Sequence, residues 1–67
     1  MNLPTKNDLG EFVRTEMARK DIRNKELADK LNVTLATVTA LRNGTASYQL
    51  YDEVLTLLNN WSTNDHQ

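Results

Sequence analysis

The sequence predicts an all-α domain of four short helices, and three observations lead there. Only Pro4, Gly10 and Gly44 interrupt the backbone preferences of the 67-residue chain. No stretch alternates β-branched and polar residues for long enough to make a strand. Small polar residues that cap helices stand ahead of segments whose apolar residues recur at helical spacing. A chain this short holds one core and no second domain. The domain is expected over residues 1–61, with 62–67, "STNDHQ", as a flexible polar tail.

The first helix is expected to start near Pro4 and Thr5, where Thr5 can cap and Asp8, three residues on, can complete a capping box. Leu9, Phe12, Val13 and Met17 then share one helical face. Gly10 either weakens this helix or marks a close approach by a neighbour. "RKDIRN" reads as its end, with basic side chains near the last carbonyls. The second helix is "NKELADKL", with Asn24 as its expected cap and Leu27, Ala28 and Leu31 as its buried stripe. Ala28 is small enough for another helix to cross closely.

Asn32 and Val33 make the next turn. Asn32 tolerates the left-handed conformation such a turn needs, and Val33 is directed to the core. Thr34 is expected to cap a third helix with Val38 and Leu41 facing inward, and Asn43–Gly44 to stop it, Gly44 closing the helix. Ser47 is expected to cap a fourth helix carrying Tyr48, Leu50, Tyr51, Val54, Leu55, Leu57, Leu58 and Trp61. Connections this short force the stripes onto a common core of Leu9, Val13, Leu27, Ala28, Leu31, Val33, Val38, Leu41, Val54 and Leu58.

Composition removes several classes of function. With no cysteine there is no disulfide, thiolate nucleophile or Cys-bearing metal site. The lone His66 falls in the polar tail. No apolar run is long enough for a membrane span or a signal peptide, so a cytoplasmic protein is expected. No base stands near a nucleophile, and there is neither a phosphate loop nor metal-ligand spacing, so no enzyme, cofactor, metal or small-molecule substrate is expected.

The formal charge of −1 conceals a polarised chain. All basic residues lie between Lys6 and Arg42, and residues 14–42 hold seven of them against four acids, a local +3. Residues 43–67 carry Asp52, Glu53 and Asp65 with no Lys or Arg, a local −3. Such polarity permits a phosphate-facing side without requiring one.

The segment "NKELADKLNVTLATVTALRNG" resembles the helix-turn-helix of the phage-repressor family, the Xre/Cro type. Leu27–Ala28, Leu31, the turn at Asn32, Val33, Thr34, Thr37, Val38, Leu41 and the Asn-Gly exit carry the resemblance, which covers about residues 7–60. It departs where the family usually has Gly and this chain has Asn32, and the loop from Gly44 to Ser47 is about two residues short. The family often adds a fifth helix that serves dimerisation in some members. Here the expectation is its loss or a short C-terminal stub after Trp61, which puts the usual dimer contact in question.

The resemblance implies a compact four-helix, lambda-repressor-like domain that binds operator duplex DNA with its third helix in the major groove. It places Asn24, Thr34, Thr37 and Asn43 at phosphates, and Arg23 and Lys25, at the start of the second helix, are well placed to join them. Leu35, Ala36, Thr39 and Ala40 fall where the family reads base edges, and Arg42 is a further groove candidate read from its own place at the end of the helix. Three of these groove positions, Leu35, Ala36 and Ala40, have no hydrogen-bonding side chain, so reading would rest on Thr39, Arg42, thymine methyl contacts and DNA shape. Family members often carry an acid at the place of Arg42, paired with an Arg at the place of Met17. With both changed, Arg42 either pairs with Glu16 or another exposed carboxylate, or is free for a phosphate or a guanine edge. The alternative to DNA is an antirepressor or modulator whose apolar face of Leu35, Ala36 and Tyr48 docks on a partner repressor. The same face could instead join two copies in a homodimer.

Overall fold

The computed structural model describes residues 4–61. These residues form four helices: α1 (Lys6–Arg19), α2 (Asn24–Leu31), α3 (Leu35–Asn43) and α4 (Tyr48–Asn59). The expected tail at 62–67, with His66, lies outside the described residues.

Each helix starts for a local reason. Thr5 Oγ1 accepts from the Asp8 amide at 3.1 Å, and the Asp8 carboxylate accepts from the Thr5 amide at 3.5 Å, completing the expected capping box. Thr34 and Ser47 cap α3 and α4 in the same way, accepting from the amides of Thr37 and Leu50, each at 3.2 Å. At α2 the expectation needs correction. Arg23, not Asn24, is the cap residue; Asn24 is the first helical residue, with its side chain turned to another partner. Glu26 Oε1 accepts from the Arg23 amide at 2.9 Å, half of a capping box, because an arginine side chain has no acceptor to offer in return.

Three helices end by one device. Asp21, Asn32 and Gly44 take left-handed φ values of 55°, 61° and 81° just past the ends of α1, α2 and α3, Asp21 one residue further out than the other two because Lys20 intervenes. In each case the amide of the following residue reaches back five residues: Ile22 to the Met17 carbonyl at 2.8 Å, Val33 to Ala28 at 3.0 Å, and Thr45 to Ala40 at 2.9 Å. These are Schellman closures, and at α1 and α2 an apolar residue after the left-handed one folds back over the helix. Asn32 and Gly44 were expected in this role. Asp21 was not.

α3 packs against both α1 and α2, and α4 packs against α1. The fully buried side chains are Tyr51, Leu27, Leu41, Leu58, Val13, Val38 and Val54, joined in the core by Leu9, Met17, Ile22, Ala28 and Ala46. Leu31 and Val33 are only partly buried at its edge, shallower than expected. Phe12, expected on the inner stripe of α1, is 48 % exposed. It sits beside an open groove between α1 and α4 lined also by Glu16, Lys20 and Leu55. Trp61, expected within the last helix, lies beyond it, half-buried against the core, its amide donating to the Leu58 carbonyl at 3.2 Å.

Gly10 answers its own question by close approach. A Cβ there would stand 2.8 Å from the Gly44 nitrogen and 3.0 Å from the Arg42 carbonyl oxygen. The same seam excludes a side chain at Gly44, where a Cβ would meet the Lys6 carbonyl oxygen at 2.9 Å. α1 and the end of α3 therefore touch backbone to backbone.

Candidate nucleic-acid interface

α3 separates two faces. Val38 and Leu41 are fully buried, while Leu35, Ala36, Thr39 and Asn43 are exposed at spacings of one, three and four residues along the other side. Leu35 is 54 % exposed, a large apolar side chain at the start of the helix. Ala40, expected at a base edge, is half-buried against the core, and its carbonyl accepts from the Thr45 hydroxyl at 3.2 Å. Tyr48, the third residue of the expected protein-docking face, is 53 % exposed, with Lys6 Nζ over its ring at 5.1 Å from the centroid.

Thr34 and Thr37 share a hydrogen bond at 3.1 Å between their hydroxyl oxygens, and Thr34 also caps the helix. One hydroxyl donates to the other, so the pair keeps one free O–H for an external acceptor. Around the α2 start, Arg23 and Lys25 are exposed and Asn24 is half-buried. The first amides of α2 receive no side-chain cap from Arg23, whereas the other three helices are capped by a hydroxyl. A helix start with open amides and two cations suits an anionic oxygen.

Among the described residues Arg42 makes no ion pair with Glu16 or another carboxylate. Glu16 is held by Arg19 at 2.5 Å and by Lys20 at 3.7 Å. Arg42 instead donates from Nη1 to Asn24 Oδ1 at 2.9 Å, a pairing no sequence pattern signalled. Its own backbone carbonyl accepts from Arg14 Nη1. Met17, expected to leave Arg42 without its usual partner, is buried in the core.

Tyr51 holds the far side of α3. Its phenol donates to the Leu41 carbonyl at 2.6 Å, and burial raises its pKa above the ordinary 10.0, partly offset by nearby backbone amides and the Arg14 charge. The bond explains why a tyrosine rather than a phenylalanine suits this core position: it satisfies a carbonyl near the α3 terminus.

Among the described residues no group of three or more His, Cys, Asp or Glu side chains could hold a metal ion. No helix described is long and apolar enough to cross a membrane. Comparison with curated proteins finds no match, and comparison with solved structures finds none. A family description does match, that of the Cro/C1-type HTH DNA-binding domain, over residues 13–59, from the middle of α1 to the end of α4. With an uncapped α2 start, an α3 split between core and solvent, and that match over more than two thirds of its length, the chain belongs to the Cro/C1-type helix-turn-helix DNA-binding domain family.

Proposed function

We propose that this protein is a small phage-repressor-type transcription regulator that lays α3 in the major groove of operator duplex DNA. The observation that carries the reading is the division of α3: Val38 and Leu41 anchor it, and Leu35, Ala36 and Thr39 are left in solvent on one face. Arg23, Lys25 and the open amides of α2, with the Thr34–Thr37 hydroxyl pair and Asn43, face phosphates on either side. Leu35 and Ala36 contact thymine methyl groups, and Thr39 supplies the hydroxyl of the reading face. Such a helix discriminates weakly by hydrogen bonding and depends on DNA shape at the positions it cannot read.

Two copies bind as a symmetric pair on half-sites one helical turn apart, about 34 Å, and regulation is by occupying a promoter against polymerase. The test is selection from a random duplex pool at low salt, followed by sequencing. Enrichment of a short inverted repeat is the expected result. Failure to retain any duplex would sink the reading.

The exposure of Leu35 and Tyr48 favours one other reading, an antirepressor that docks this apolar face on a partner repressor. Leu35→Asp separates the two. It abolishes a protein complex centred on Leu35, and an intact complex after the change would remove Leu35 from that role.

A further inference from the structure

We propose that Arg42 is a positioning residue of the DNA interface, a strut from the end of α3 to the start of α2 that orients the Asn24 amide toward the DNA backbone. This rests on the reading of α3 as the groove helix. Arg42 and Asn24 are eighteen residues apart and stand at the two ends of the helix-turn-helix that the turn at Asn32 does not join. Their bond, 2.9 Å from Nη1 to Oδ1, therefore bears on the angle between α2 and α3.

Arginine has donors and no acceptor, so the amide atom facing it must be Oδ1. That leaves both Nδ2 protons of Asn24 as donors for an anionic oxygen, beside exposed Arg23 and Lys25. The guanidinium is committed inward: Nε is buried and has no hydrogen-bond partner among the described residues. A side chain held this way is poorly placed to reach a base edge. The backbone of Arg42 is fixed from the other direction, its carbonyl taking Arg14 Nη1 and lying against Gly10. The last turn of α3 is thus tied to α1 through its main chain and to α2 through its side chain.

The test is a double-mutant cycle in the full chain with Arg42→Met and Asn24→Ala, read by urea unfolding without DNA and by duplex binding across a range of salt. The duplex is the one enriched from the random pool or, where none enriches, a mixed-sequence duplex. Each single change is expected to weaken binding about tenfold, with the double variant no worse than either single. The Arg42→Met salt slope should match the wild-type slope, and Arg42→Lys, which keeps a donor, should recover part of the loss. A salt slope reduced by about 0.9, with losses that multiply in the double variant, would make Arg42 itself a phosphate contact and overturn the proposal. Additive unfolding free energies would overturn the strut as well. If the wild-type chain retained no duplex, the groove reading of α3 would fall, and the unfolding cycle alone would decide whether Arg42 and Asn24 act together.

Discussion

Gly10 stands inside a helix, where alanine would ordinarily be better by about 1 kcal/mol. Its missing side chain is occupied by the backbone of Gly44 and Arg42, the nearest atom 2.8 Å from where a Cβ would be. Backbone atoms cannot rotate away as a side-chain end would, so packing should outweigh propensity. Gly10→Ala is expected to lower the unfolding free energy by about 1–3 kcal/mol in urea titration, and a stabilised variant would refute the contact. Tyr51 is the second residue whose chemistry is set by burial. Its raised pKa means that the folded protein holds the phenol proton at pH values where the unfolded chain has released it. The stability this contributes is complete below about pH 10 and declines as pH rises beyond it. Tyr51→Phe should cost about 1 kcal/mol at neutral pH by removing the phenol's bond to the Leu41 carbonyl, which keeps only the longer one from the Gly44 amide at 3.4 Å, and should flatten the alkaline decline. Thermal unfolding of both proteins from pH 8 to 11 would measure both effects.

At the scale of the helices, the shared Schellman closure decides where α1, α2 and α3 stop. Glycine occupies only the third left-handed position; Asp21 and Asn32 occupy the others at φ 55° and 61°. Asparagine and aspartate tolerate this region better than other non-glycine residues, yet still less well than glycine. Asp21→Gly is therefore expected to raise stability by about 0.5 kcal/mol, the relief of strain exceeding the added freedom of the unfolded chain. An unchanged or lower melting temperature would show that Asp21 is held by more than its backbone. Starts were easier to read than ends. Thr5, Thr34 and Ser47 each cap through a hydroxyl on their own segment, an interaction three residues long. Asn24 misled because its residue type suits a cap, whereas its amide is taken by Arg42 from a different helix.

Across the whole molecule, the charge pattern becomes a testable field. The net basic stretch 14–42 includes α2 and most of α3, and the acidic Asp52 and Glu53 lie on α4. Long-range attraction to a polyanion should then come from one side of the domain and be screened by salt. Arg23→Ala and Lys25→Ala are each expected to weaken duplex binding and reduce the log–log salt slope by about 0.9, consistent with one phosphate neutralised per residue. Unchanged slopes for both would place these side chains outside the interface.

Local residue patterns were enough to specify the number, kind and order of the helices, three of their four caps and two of their three left-handed endings. It also carried the division of α3 into Val38 and Leu41 on one side and Leu35, Ala36 and Thr39 on the other. These features depend on residues within one or two helical turns, where spacing and side-chain type are sufficient. Tertiary packing alone set Phe12 in solvent and Ile22 and Ala46 in the core, because which part of an apolar stripe is covered depends on where the other helices cross. It also decided the backbone contact between Gly10 and Gly44 and the bond from Arg42 to Asn24. Those pairings join residues far apart in the chain, and no local pattern encodes the distance that folding closes between them.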